Sequence, residues 1–202
     1  MPARRRALVV AGATLPALLC ALIGLAHPGD LTVSTAELWR NIHLALIPVF
    51  PLIGLAPWLV ARQGGRRLGW LAAVGGYGYA TFYTSLDLLA GVGGGAMVLG
   101  GEADSTGPIF AIARVLARIG VWCLVAAAVV ATVAAVRRVG ATAVPAGLVA
   151  VVGSYLVYRG HIYFPVGTLA MLLLAGGFGA LALLVTRSTT PDPVKPMAPS
   201  AR

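Results

Sequence analysis

The chain has 202 residues, 59% of them hydrophobic and only 10% charged, with a mean hydropathy of +0.90. Soluble domains carry roughly 45–50% apolar and about 25% charged residues, which excludes an ordinary soluble class. The formal net charge of +9 does not indicate nucleic acid, because the basic residues form short clusters beside apolar runs and do not interleave with aromatics on one polar face.

The first apolar run, Ala7 to Ala26, follows Arg4-Arg5-Arg6. It is longer than the roughly 7–15 residues of a signal-peptide core, so it is predicted to be a retained spanning helix. A polar loop from His27 to Thr32 leads to Ser34-Thr35-Ala36-Glu37, which has the spacing of a capping box and predicts a helix start outside the bilayer. Trp39 and Arg40 mark the headgroup level, and the second span runs from Ile42 to Val60. Pro48, Pro51 and Pro57 lie in it, each removing a backbone donor and crowding the carbonyl one turn earlier, so this helix is expected to be kinked and to line a packed or wet space.

The third span, Leu68 to Ala90, carries Ala72, Gly76 and Ala80 on one stripe, with Gly75 and Gly78 beside it. Small residues at four-residue spacing let helix backbones approach, which predicts a contact with another span of the same chain. The segment from Gly91 to Gly101 is expected to be a flexible outer loop. Pro108 opens a fourth run to Val136 that is too long for one crossing; Ile109 to Arg118 is predicted as an outer turn, holding Arg114 and Arg118 near the boundary, and Ile119 to Val136 as the crossing. Ala141 to Tyr158 and Val166 to Thr186 supply the fifth and sixth spans, joined by a tight connection from Arg159 to Pro165.

This gives an all-α, polytopic membrane helix bundle of six transmembrane helices, with one domain over residues 1–186 and a disordered cytoplasmic tail over 187–202. Eleven of the 15 Lys and Arg (Arg4, Arg5, Arg6, Arg62, Arg66, Arg67, Arg137, Arg138, Arg187, Lys195 and Arg202) fall on one side of such a bundle. All three histidines and every acid but Asp192 fall on the other. The positive-inside rule then puts both termini in the cytoplasm and the protein in the cell membrane, as a multi-pass chain. The basic clusters read as topology anchors touching anionic lipid.

Chemistry is harder to read. Walker A, dinucleotide, HExxH and nucleophile-elbow motifs are all missing from the sequence, so an enzyme is not expected. Cys20 and Cys123 each lie inside an apolar span and read as packing residues. What stands out is an outer layer of His27, Asp30, His43, Asp87, Arg114, Arg118 and His161, with Tyr83, Tyr158 and Tyr163 at the same depth. Asp87 sits in an otherwise apolar run, where an acid pairs with a cation or lines a wet cavity. Two roles are open to it: a structural ion pair with Arg114 or Arg118, or proton acceptor and cation ligand. His43, Asp87 and His161, with Tyr83 and Tyr163, form the candidate ligand-binding set, expected to converge on one pocket. Histidines in three outer segments allow a copper, zinc or haem-iron site, although none has paired ligand spacing and contacts to headgroups explain them as well.

Four motifs carry a resemblance: His27-Pro28-x-Asp30-Leu31-Thr32; His43 followed by Pro48-x-Phe50-Pro51-Leu52; Phe82-Tyr83-Thr84-x-Leu86-Asp87-x-Leu89-Ala90-Gly91; and His161-Ile162-Tyr163-x-Pro165-x-Gly167. Together, across most of residues 7–186, they resemble uncharacterised small six-span integral membrane proteins of high-GC Gram-positive bacteria. The resemblance implies a six-span fold and no particular activity. Two function classes follow from the residues: a non-enzymatic membrane protein whose outer polar cluster binds a small ligand, ion or metal, or a structural or accessory subunit whose Gly-rich faces pack on a membrane-protein partner or a second copy. The bilayer is the expected partner in either case, and nucleic acid is not.

Overall fold

The computed structural model describes residues 1–187, and among these every regular element is helical. The helices are α1 (Ala3–Gly24), α2 (Ala36–Leu46), α3 (Phe50–Ala61), α4 (Arg66–Leu86), a π-helical turn (Asp87–Gly93), α5 (Gly94–Leu99), α6 (Gly107–Val139), α7 (Val144–Gly160) and α8 (Val166–Arg187), with short 3-10 turns at Ala103–Ser105 and Ala141–Ala143. Taken with their continuations they form six helices long and apolar enough to cross a membrane: Ala3–Gly24, Ala36–Ala61, Arg66–Leu99, Gly107–Val139, Ala141–Gly160 and Val166–Arg187. At about 1.5 Å per residue the shorter ones match a hydrocarbon core of about 30 Å. The expected tail lies outside the described residues except for Arg187, which ends α8.

Packing follows the small residues. The α3 and α4 backbones touch where Gly54 and Gly76 face each other, each occupying the space a Cβ on the other would need. Gly75 and Gly78 press α4 against Cys123 and Ala127 of α6. Gly153 and Gly177 do the same between α7 and α8. The stripe on the third span is therefore spent inside the chain, as its spacing predicted. Leu8, Leu15, Trp70, Val74, Tyr77, Trp122 and Leu148 remain on the outside, as lipid-facing residues would.

The expected disruption of the second span is present, and two other local expectations change. The second span is divided between α2 and α3 at residues 47–49, where Pro51 has no N–H to offer Ile47; shorter bonds, Val49 N–H to Leu46 O (2.8 Å) and Leu52 N–H to Val49 O (3.0 Å), bridge the break. The Ser34–Glu37 capping box does not form. Instead Thr35 Oγ1 donates to Asp30 O (2.8 Å) and accepts from Thr32 N–H (2.8 Å), closing the loop before α2. Finally, 91–99 is helical, and its Gly91 and Gly95 sit too close to His43 and Arg40 for a side chain: these glycines are contact points.

The fourth apolar run is one unbroken helix from Gly107 to Val139, so the outer turn expected at 109–118 is the first part of α6 itself. At the basic end of the bundle, Arg138 clamps two chain segments, donating from Nε to Val185 O (2.7 Å) and from Nη1 to Gln63 O (2.9 Å). The opposite end, where the loops after α1, α5 and α7 lie, gathers the histidines.

Candidate functional site: a three-histidine cluster beside a buried carboxylate

His43 lies on the last turn of α2, just before the proline break, and is buried. Its ring rests on the backbone of Gly91, where any Cβ would overlap it. Trp39, one turn earlier, donates from Nε1 to Ala90 O (3.1 Å), tying α2 to the π-helical turn. That turn begins with Asp87, which is 1% exposed. A π-turn is a common local device at functional sites because one extra residue per turn shifts a side chain out of helical register.

The end of α1 reaches the same place through Gly24. A Cβ there would run into Ile162 O, so only glycine lets α1 close against the loop after α7, and this seats His27, three residues later, in the cluster. His161 ends α7 with φ 48°, a left-handed conformation unfavourable for a residue with a Cβ, costing about 1–3 kcal/mol. This turn sends its ring back under the bundle end. The His43 and His161 rings are parallel (interplanar 6°, centroids 5.9 Å apart), and His27 stands edge-on to both. Tyr163 adds its ring 4.7 Å from that of His27.

One nitrogen from each imidazole lies within 4.8 Å of the others. Hydrogen bonds to fixed acceptors decide which nitrogens are free. His27 Nδ1 is 2.7 Å from Pro28 O and His43 Nδ1 is 2.7 Å from Trp39 O. A carbonyl only accepts, so both Nδ1 atoms carry the proton and both neutral Nε2 atoms hold lone pairs. These two Nε2 atoms face each other at 3.5 Å. Two lone pairs so placed repel unless a cation or proton lies between them. Two nitrogens bound about 2.0–2.1 Å from one tetrahedral ion are separated by about 3.3–3.4 Å.

Asp87 completes the arrangement. Its Oδ1 is 3.7 Å from His43 Nε2 and 4.0 Å from His161 Nε2, and neither carboxylate oxygen has a hydrogen-bond partner. His161 Nδ1 makes a 2.7 Å bond to the Tyr83 hydroxyl. Tyr83 in turn stacks on Tyr79, ring centroids 5.0 Å apart, and both are fully buried. Burial holds the His161 imidazole well below its ordinary range, with His43 and His27 adding to the effect. Burial also lowers His27, partly offset by its bond to Pro28. Both rings are thus kept neutral and able to donate a lone pair. The Tyr163 phenol is pushed up, chiefly by burial, and stays protonated.

All five residues of the expected binding set therefore meet: His43, Asp87, His161, Tyr83 and Tyr163. The expected ion pair between Asp87 and Arg114 or Arg118 does not form; among the described residues only the two imidazoles come within 4.0 Å of its carboxylate. Both arginines stop short of the carboxylate. Arg118 lies over the Tyr158 ring at 5.9 Å, and Arg114 lines a cavity next to the cluster. Asp30 stays exposed in its loop. His27 belongs in the centre of the site rather than in the surrounding layer, and the signal for it was Gly24, whose role is a close approach and not flexibility.

No protein-family model, curated protein or solved structure matches this chain. The resemblance drawn from the four motifs rests on those residues alone.

Proposed function

We propose that the protein is a non-enzymatic, multi-pass protein of the cell membrane, with both termini in the cytoplasm, that holds one transition-metal ion at its outer face through His27, His43 and His161, with Asp87 as fourth donor. The observation that carries this reading is the pair of unprotonated Nε2 atoms facing each other at 3.5 Å beside an unpartnered buried carboxylate. Each arrangement is costly alone, and a divalent cation relieves both at once. The donor set of three imidazoles and a carboxylate suits zinc, copper, iron or nickel rather than magnesium or calcium. The second shell fits as well, since metal-ligating histidines usually donate their other N–H to a carbonyl or similar group. His27 and His43 do so already, and His161 would do so to Tyr83.

Haem fits this geometry poorly, because three imidazoles clustered around a point leave no room for a macrocycle between two axial ligands. The topology part of the proposal rests on the charge asymmetry between the two ends of the bundle. The accessory-subunit alternative has less support, because Gly75, Gly76, Gly78, Gly177 and Gly179 pack within the chain and, of the glycines on those faces, only Gly176 meets nothing. Metal analysis of the detergent-purified full chain is the test. One zinc, copper, iron or nickel per chain, lost in a His27→Ala, His43→Ala double variant that stays folded, supports the reading; equal trace metal in both proteins refutes it.

A further inference from the structure

A cavity of about 160 Å³ opens directly off the cluster. His43, Asp87 and His161 form part of its wall, whereas His27 and Tyr83 do not line it. An ion held by the three imidazoles therefore has His27 behind it and the cavity in front. The remainder of the wall is mostly apolar, with Phe110 and Ala113 of α6, and Arg114 is the one Lys or Arg that lines it. Arg114 makes no ion pair with any described residue.

These features favour an exchangeable ligand. Structural metal sites are closed, whereas a site with a position facing open space keeps water or another ligand there. At about 30 Å³ of liquid volume per water, the cavity holds about five waters, or a ligand of a few heavy atoms. Charge selects among such ligands. A divalent ion, the Asp87 carboxylate, the Arg114 guanidinium and three neutral imidazoles leave surplus positive charge, with Asp87 and His43 buried and Arg114 exposed at the cavity mouth. A small anion cancels it.

We propose that the metal centre, held by the three imidazoles and Asp87, expands to take a fifth ligand at a coordination position facing this cavity, and that this ligand is a small inorganic or one-carbon anion, drawn in by Arg114. The inference rests on the metal-binding reading and adds the class of ligand that the metal presents itself to. Water or hydroxide is the competing occupant at neutral pH.

Cobalt(II) loaded into the detergent-purified full chain gives a visible spectrum sensitive to coordination, and sodium azide serves as the probe anion. The expected result is a saturable spectral change with one azide per cobalt. Ala113→Leu, which fills the cavity, should bind cobalt as before but lose the azide response. Arg114→Gln should also keep the cobalt and weaken azide about tenfold, the order expected for one charge removed at the mouth of a partly solvated site. Cobalt binding with no azide response, or a response of unchanged affinity in Arg114→Gln, overturns the proposal and leaves the metal site standing. Failure of the chain to bind cobalt at all overturns both.

Discussion

Replacing Asp87 by Asn should move the metal-free and metal-loaded proteins in opposite directions. In the metal-free protein, the Asp87 carboxylate is buried with no hydrogen bond to either oxygen. An unsatisfied buried group costs about 1–3 kcal/mol, and more when charged. An Asn amide carries no charge and can donate to the His43 Nε2 lone pair, which lies 3.7 Å from the present Oδ1. The gain should be about 1–2 kcal/mol, or roughly 2–8 °C in Tm for a chain of this length. With metal the sign reverses. Second-shell losses at metal sites cost 10–100-fold in affinity, so loss of a charged direct ligand should cost about 100-fold, about 2.8 kcal/mol. At fixed metal concentration that amount disappears from the metal-induced stabilisation. Thermal unfolding in detergent, with chelator and then with added zinc or cobalt, measures both effects. A variant less stable than the parent in chelator, with an undiminished metal shift, would refute the reasoning.

Tyr83→Phe removes the partner of His161 Nδ1 at 2.7 Å and should weaken metal binding about 10–100-fold, read by competition with a chromophoric chelator, while the fold persists. Gly91→Ala forces a Cβ into the His43 ring, and should cost about 1–3 kcal/mol in stability along with metal affinity; Gly176→Ala, which meets nothing, should leave both unchanged. Because burial keeps His27 and His161 below their ordinary value of 6.5, the unfolded chain binds more protons than the fold as pH falls through that value. The stability of the metal-free protein should therefore be complete above pH 6.5 and decline below it, and a double His27→Gln, His161→Gln variant should show a flatter pH profile of Tm. For topology, in a background with Cys20 and Cys123 replaced, Asp30→Cys should react with an impermeant maleimide in whole cells and Arg66→Cys only after permeabilisation; the reverse pattern would invert the bundle.

The spans were legible because bilayer length and apolar composition are local properties of the sequence, and the proline break in the second span was legible because Pro51 cannot serve Ile47 whatever surrounds it. The Gly91–Gly101 segment was misread for the opposite reason. Glycine composition suggests a loop, yet Gly91 and Gly95 are there to admit His43 and Arg40, and only the neighbouring helix shows that. In the site, sequence gave depth but not azimuth. His43, Asp87 and His161 shared a layer and proved to share a side, while Arg114 and Arg118 shared the layer and did not reach the carboxylate. The hydrogen bonds that fix the His27 and His43 tautomers have no signature in the sequence, because they depend on where the Pro28 and Trp39 carbonyls point.

X-ray absorption at the metal edge of the loaded, full-length protein tests the central claim most directly. Three imidazole ligands should appear at about 2.0–2.1 Å, falling to two in His27→Ala. A shell of oxygen alone, or an imidazole count unchanged by His27→Ala, His43→Ala and His161→Ala in turn, would contradict it.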